Sequence, residues 1–356
     1  MANVLFSGCR SGRYPLEYSA SNPGDRIVIH AYDSYQARKI REDIGDRIPG
    51  AEVRCSPWLA DAEDETAAAA AGEPIFDRAF YHSTSKLVSA EFELDIFQDI
   101  YRHLAEGAEL RAEGVEPAVL GKVFGKVRGA NGTKRVPAWS VGTKKGALKR
   151  ERMFTAPFAA SVPGGSSLEM VSLPGCFCHR RADEGGLALA EVVCREAVAN
   201  GGGVSPVLDI GCGCGLVGLL VADALRRLSS SDQAPETVLL DSHSRAVAAA
   251  RSNARALGIG AECVLSDDGL PAAHPLRGKF GIALANPPYY GEGRIADLFA
   301  GIAAGALSPS GACWMVAKSP AIIREACAAF FAETSEFKRR GYTVIRAGRP
   351  RRANMV

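Results

Sequence analysis

Five short strings occur twice along this chain, in the same order and a little over two hundred residues apart. Val4-Leu5-Phe6-Ser7-Gly8-Cys9 parallels Val207-Leu208-Asp209-Ile210-Gly211-Cys212, and the run from Ile27 to Asp33-Ser34 parallels the one ending in Asp241-Ser242. Ala51-Glu52-Val53-Arg54-Cys55 parallels Ala261-Glu262-Cys263-Val264-Leu265. Phe76-Asp77-Arg78-Ala79-Phe80 then matches Phe280-Gly281-Ile282-Ala283-Leu284, and Asp95-Ile96-Phe97 matches Asp297-Leu298-Phe299. One such match is chance, whereas five in one order imply a duplicated unit. The length of 356 residues agrees, since it holds roughly two domains of ordinary size.

The second copy shows what the unit is. From Pro206 to Ile345 short apolar runs alternate with helical stretches, which predicts a mostly parallel sheet covered on both faces. The runs are Val207 to Ile210, Val238 to Leu240, Cys263 to Leu265, Ile282 to Ala285 and Cys313 to Ala317. Val247, Ala250, Ala254 and Leu257 make one apolar helix face, with Ser242 or Ser244 as its cap and Gly258 as its stop. The expected fold is α/β: two tandem Rossmann-like domains, each a seven-stranded, mostly parallel sheet with helices on both faces. The expected boundaries are a first domain over 1–120, a basic linker over 121–165 and a second domain over 166–356.

With 47% hydrophobic and 23% charged residues the chain can bury a large core. No apolar run approaches the ~18 residues of a membrane span, and Met1 to Arg13 lacks a secretory apolar stretch. Ten cysteines without framework spacing fit a reducing compartment, so a soluble cytoplasmic protein is expected. A net charge of +2 conceals an uneven distribution. Lys122 to Arg152 carries ten cations against the single acid Glu151, and Lys338, Arg339, Arg340, Arg346, Arg349, Arg351 and Arg352 cluster around Tyr342. The acidic run Asp61 to Glu65 offsets them. Such clusters suit phosphate contact, and Lys134, Arg135, Lys144, Lys145, Arg339 and Arg340 are the expected contacts to RNA. The sequence sets no oligomeric state, and a monomer is compatible with it.

Val207-Leu208-Asp209-Ile210-Gly211-Cys212-Gly213-Cys214-Gly215-Leu216 reads as a strand, an acid and a glycine-rich turn into a helix. Glycines let the backbone approach a ligand that a Cβ would block. Gly213-x-Gly215-x-x-Gly218 matches the dinucleotide fingerprint, but Asp209 would repel a pyrophosphate and suits the cationic amino-acid end of S-adenosylmethionine. Asp241 closes the second strand and can accept both ribose hydroxyls. Asp267 or its neighbour Asp268 is placed for the adenine amino group, and Cys212 and Ser242 flank the same turns.

Asn286-Pro287-Pro288-Tyr289 follows the fourth strand. Two prolines fix φ and remove two donors, so the carbonyls there remain acceptors. With the Asn286 side-chain oxygen they make an acceptor pair for a planar exocyclic amino group, and Tyr289 can stack on the attached ring. Oriented this way, the nitrogen faces an electrophilic methyl and needs no strong base.

These two motifs together resemble class I S-adenosylmethionine-dependent methyltransferases that modify amino groups of planar substrates. Ser172-Leu173-Pro174-Gly175-Cys176-Phe177, followed by Asp183-Glu184-Gly185-Gly186 and an apolar helix, resembles the rRNA small subunit methyltransferase C family of guanine-N2 methyltransferases. That family pairs a degenerate N-terminal methyltransferase domain with a catalytic C-terminal one. The likeness spans nearly the whole chain and is strongest from Leu173 to Ile345. It implies that Asp209, Gly211, Gly213, Gly215, Asp241 and Asp267 contact the cofactor, that Asn286 to Tyr289 receive a guanine of 16S rRNA, and that Phe177 and Asp183 close over the cofactor. The chain departs from the family in having Tyr289-Tyr290-Gly291 where a phenylalanine and then a histidine are usual, and Asp267-Asp268 where a neutral amide is usual. Phe6 and His82-Ser83-Thr84-Ser85 replace the motif residues in the first copy, which implies a non-catalytic N-terminal half.

Other activities share parts of these motifs. Methylation of a release-factor glutamine shares Asn-Pro-Pro-Tyr but goes with a small helical N-terminal domain, and adenine-N6 methylation uses the same acceptor pair. A non-enzymatic RNA-binding assembly factor would require a spoiled second site, and a nicotinamide oxidoreductase is disfavoured by Asp209. No metal is expected: Cys176-x-Cys178-His179 and Cys212-x-Cys214 lack zinc spacing. Trp139, inside the basic run, suits stacking on RNA and packing of a linker equally.

Overall fold

The computed structural model describes residues 1–60, 75–83, 89–163, 165–199, 205–229, 234–288 and 293–351. Tyr289, Thr84-Ser85, Asp61 to Glu65 and Arg352 lie outside the described residues. The chain divides into two compact units, Met1–Thr155 and Ala156–Val356.

In the first unit the elements run β1 (Asn3–Ser7), α1 (Arg13–Ser21), β2 (Arg26–Ala31), α2 (Ser34–Ile44), β3 (Glu52–Cys55), β4 (Phe76–His82), α3 (Ala90–His103), β5 (Leu104–Glu113), α4 (Pro117–Phe124), β6 (Val127–Ala130) and β7 (Trp139–Thr143). The second opens on a hairpin, β8 (Ala156–Ser161) and β9 (Ser167–Ser172), then α5 (Glu184–Ala199), β10 (Val207–Ile210), α6 (Leu216–Leu228), β11 (Thr237–Asp241), α7 (Ser244–Ala256) and β12 (Ala261–Leu265). It closes with β13 (Phe280–Ala285), α8 (Arg294–Ala306), β14 (Leu307–Ala317), α9 (Ala321–Phe330), β15 (Phe331–Arg339) and β16 (Tyr342–Pro350).

The two seven-stranded sheets have one topology, β3-β2-β1-β4-β5-β7-β6 and β12-β11-β10-β13-β14-β16-β15. In each the first five strands are parallel, and the last two join antiparallel. The duplication holds at single-residue register: Phe6 pairs with Phe80 across β1 and β4 as Asp209 pairs with Leu284 across β10 and β13.

All four residues of β10 are buried, as a strand covered on both faces must be. One face packs Leu208 and Ile210 against Ala296, Ala300 and Ala303 of α8 and Ile323 and Ala326 of α9. Alanines at this helical spacing let the helix axis come close to the sheet. The other face turns Asp209 toward α6, where a Cβ on Gly218 would stand 3.0 Å from the Asp209 Cβ.

Three expectations change. Residues 121–155 are not a linker, because β6 and β7 complete the first sheet, and the second unit begins at Ala156 rather than 166. Their glycines hid them: a Cβ on Gly129 would stand 2.3 Å from the Trp139 carbonyl oxygen, so the glycine permits the pairing of β6 with β7. The N-cap position of α7 is occupied by His243, which makes no side-chain bond to the helix end, where Ser242 or Ser244 was the expected cap. The basic run around Lys338 to Tyr342 is the tight end of the β15–β16 hairpin. Among the described residues no helix is long and apolar enough to cross a membrane.

Candidate active site

The β10-to-β11 and β13-to-β14 connections leave in opposite directions, so a crevice opens between the carboxyl ends of β10 and β13, where open parallel sheets bind ligands. Ile210 pairs with both Leu240 and Ala285, which brings the Gly211 turn, Asp241 and Asn286 out at one edge.

The turn is fixed by its backbone. Gly211 and Cys212 both donate to the Leu240 carbonyl, at 2.8 and 3.0 Å, and Gly215 donates to the Cys212 carbonyl at 2.9 Å. Gly211 has φ +69° and its missing Cβ would stand 2.8 Å from the Phe299 ring, so only glycine fits. Around Gly213, at φ +57°, nothing lies within 4 Å of the Cβ position, and the backbone is open to a ligand there. Asp241 ties the turn to β11: its Oδ2 accepts the Gly213 N–H at 2.9 Å and its Oδ1 the His243 N–H at 2.8 Å.

Asp209 is 2% exposed and accepts the Gly218 N–H at 2.8 Å. Burial pushes its carboxyl up to about 7, with the nearby Asp241 charge adding and the Gly218 bond opposing. A buried carboxylate with one donor and a like charge beside it is a site that gains from a bound cation. An alanine at Gly218 would put its Cβ 2.5 Å from a Leu239 methyl and 3.0 Å from Asp209 Oδ2. Gly218→Ala is therefore expected to cost about 1–3 kcal/mol, read as a Tm lower by several degrees in a thermal melt.

Cys212 and Cys214 are buried in the turn, and burial pushes the Cys214 thiol up to about 12, so they act as small apolar side chains rather than thiolates. Ser242 is half-buried beside Asp241. After β12, Asp267 is half-buried, while Asp268 is exposed and accepts the Ser266 hydroxyl at 2.8 Å.

Asn286, Pro287 and Pro288, the expected acceptor residues, follow β13 at this edge, with Pro287 buried and the other two half-buried. Asn286 Nδ2 donates to Asp183 Oδ2 at 2.7 Å, which leaves Oδ1 as the amide's accepting end. Asp183, expected over the cofactor, thus lies against Asn286. Phe177, on the same 173–183 loop, is 62% exposed.

The expected RNA contacts separate into two groups. Lys134, Arg135 and Lys145 are exposed. Lys144 turns inward and donates to the Arg102 and Leu104 carbonyls at 3.0 and 2.6 Å, and burial lowers its pKa. Arg339 and Arg340 both ion-pair with the buried Glu191, and Arg340 also reaches Glu184 at 2.8 Å. These three cations are engaged with the protein. Sequence reading also missed the Cys178 thiol on Asp183 Oδ1, at 3.5 Å, and the Glu184 and Glu191 partners; only the adjacent Gly185-Gly186 hinted at crowding there.

Among the described residues of the first unit, aromatic rings and a histidine stand at two of the matching positions. Phe6, at the register position of Asp209, stacks on Phe80 at 4.9 Å and meets Tyr18 edge-on at 5.6 Å. His82, at the position of Asn286, lies under Tyr14 with ring centroids 3.8 Å apart.

Residues 167–346, about half of the chain, match the family described as "Methyltransferase small domain". The chain belongs to this family. The methyltransferase small domain match covers every residue described above for the crevice. Among curated proteins, ribosomal RNA small subunit methyltransferase C of Pseudomonas entomophila (strain L48) is 32% identical over 170 residues, covering 48% of this chain and 46% of that protein. The protein of the same name from Pseudomonas syringae pv. tomato is 26% identical over 289 residues, covering 76% of this chain and 80% of that one. Over the first of these, the chain spans about half the relative's length. Among solved structures, the T. thermophilus 16S rRNA N2 G1207 methyltransferase, in complex with AdoMet and guanosine, aligns over 98% of this chain and 88% of its own. Its TM-score is 0.72 at 19% identity, a shared fold over both units.

Proposed function

We propose that the chain transfers the methyl group of S-adenosylmethionine to the exocyclic N2 of a guanine in small-subunit rRNA. The observation that carries this reading is the pairing, across one crevice, of the Asp209–Gly215 turn with an Asn286 amide whose oxygen is its accepting end. The residues fit the cofactor: Gly213 leaves backbone open, Asp241 lies at the carboxyl end of β11 tied to the glycine turn, and Asp209 is a buried carboxylate suited to a cationic group. Bound there, the cofactor supplies an electrophilic sulfonium methyl.

The protein's part is placement. Asn286 Oδ1 and the following prolyl carbonyls accept the two N–H bonds of the amino group and aim its lone pair at the methyl. The proton is shed after attack, so no strong base is required, and buried Pro287 keeps water from competing. Exposed Lys134, Arg135 and Lys145 are the cations left for phosphate contact. The names of the relatives support the rRNA substrate, and a ribosome-directed, cytoplasmic enzyme belongs to the same reading. A release-factor glutamine is disfavoured, because the N-terminal unit is a full seven-stranded sheet.

The test is methyl transfer from labelled S-adenosylmethionine to separated ribosomal subunits, naked rRNA and release factors, followed by nucleoside analysis. Labelled N2-methylguanosine in small-subunit rRNA is the expected product. Label in a release factor, or recovered as N6-methyladenosine, would overturn the substrate while keeping the chemistry.

A further inference from the structure

We propose that Asp183 is a positioning residue that sets which end of the Asn286 amide faces the acceptor crevice. An asparagine amide has two ends of nearly equal shape, and only the oxygen can accept from an amino group. A carboxylate accepts only, so Asp183 Oδ2, 2.7 Å from Nδ2, holds the NH₂ end and turns Oδ1 outward. The reverse orientation would set Oδ1 against the Asp183 carboxylate, acceptor against acceptor, and the NH₂ against the substrate amino group, donor against donor, losing both contacts.

Asp183 is itself held on every side. The Gly186 N–H donates to Oδ2 at 2.6 Å at the start of α5, and the Cys178 thiol donates to Oδ1 at 3.5 Å. Burial and the Asp183 charge push that thiol up to about 11, so at neutral pH it carries the proton it donates. Cys178 and Arg180 sit at φ 52° and 77°, left-handed conformations that cost side-chain-bearing residues energy. The loop is kept there by the Ser172 hydroxyl, which accepts the Arg180 N–H at 2.9 Å and pairs with His179 Nδ1 at 2.9 Å. Gly185 completes the support: a Cβ there would stand 3.1 Å from Asp183 Oδ2 and 3.2 Å from the Tyr342 ring. A strained, crowded loop thus delivers one carboxylate to one amide 103 residues along the chain.

The inference rests on the proposed methyl transfer for its kinetic arm only. Asp183→Ser keeps an oxygen that caps α5 but is too short to reach Asn286; Asp183→Asn keeps a carbonyl acceptor. In the full-length Asp183→Ser variant the Asn286 side-chain amide protons are expected to move in the NMR spectrum and exchange faster with water. The rate kcat should fall about 10- to 100-fold, with cofactor affinity and Tm near wild type, and Asp183→Asn should restore most of it. Unmoved Asn286 amide resonances in Asp183→Ser would overturn the proposal, as would a loss of cofactor affinity equal to the loss of rate. If the wild-type protein methylates none of the RNAs offered, the functional reading fails, and the amide resonances still decide the role of Asp183.

Discussion

Asn286→Ala is expected to lower the rate of methyl transfer about 10²- to 10³-fold while leaving the Kd of S-adenosylmethionine unchanged. The side chain supplies one of two acceptors for the amino group, and an acceptor acting only on the reacting nitrogen contributes to kcat rather than to cofactor binding. Its removal costs the fold little. Asn286 is half-buried, and Asp183 retains the Gly186 N–H as a partner, so no buried charge is left alone. Single-turnover rates and calorimetric cofactor titration separate the two effects. A fall in cofactor affinity matching the fall in rate would remove Asn286 from the acceptor role.

Asp209→Asn is expected to do the opposite, weakening the cofactor about 10- to 100-fold, as loss of a charge-assisted contact does. Its pH dependence is the sharper test. With the carboxyl raised from 3.8 to about 7, a cation binds the ionised form, so wild-type affinity falls as pH drops from 7.5 to 6. Partial protonation of the cofactor's own amino group opposes this, leaving a net loss of about fivefold. The asparagine variant should show no such fall. Stability runs the other way: a raised folded-state pKa favours the folded form below 3.8, and that advantage is lost as pH rises through about 7. Without ligand, the variant should therefore melt no lower than wild type at pH 8. A lower Tm there would show that Asp209 supports the fold rather than the ligand.

What could be read from the sequence was local chemistry. The glycine turn and the paired prolines announce themselves because a positive φ or a missing donor is a property of a few adjacent residues, and β10 occupies the stretch Val207–Ile210 that its apolar run marks. The duplicated sheets were legible because the same short strings recur in the same order along the chain. Pairings across long separations were not. Lys144 and Lys145 are neighbours of identical type, yet one reaches two backbone carbonyls around residues 102–104 and the other faces solvent. Arg339 and Arg340 read as a basic patch until Glu191, on another element, is seen to pair with both. The β6–β7 pair looked like linker because glycine and cations weaken a strand signal that the neighbouring strand β5 restores.

The clamp between the β15–β16 hairpin and α5 joins residues 148 to 156 positions apart, tying the last strands of the second unit to its first helix. Contacts of such separation form late, after the intervening chain has collapsed. During synthesis, then, the cradle for Asp183 has to wait for Arg340 and Tyr342 to leave the ribosome. The hydrogen bonds that fix the glycine turn run within it and to β11, so the two sides of the crevice are completed by different stretches of the chain.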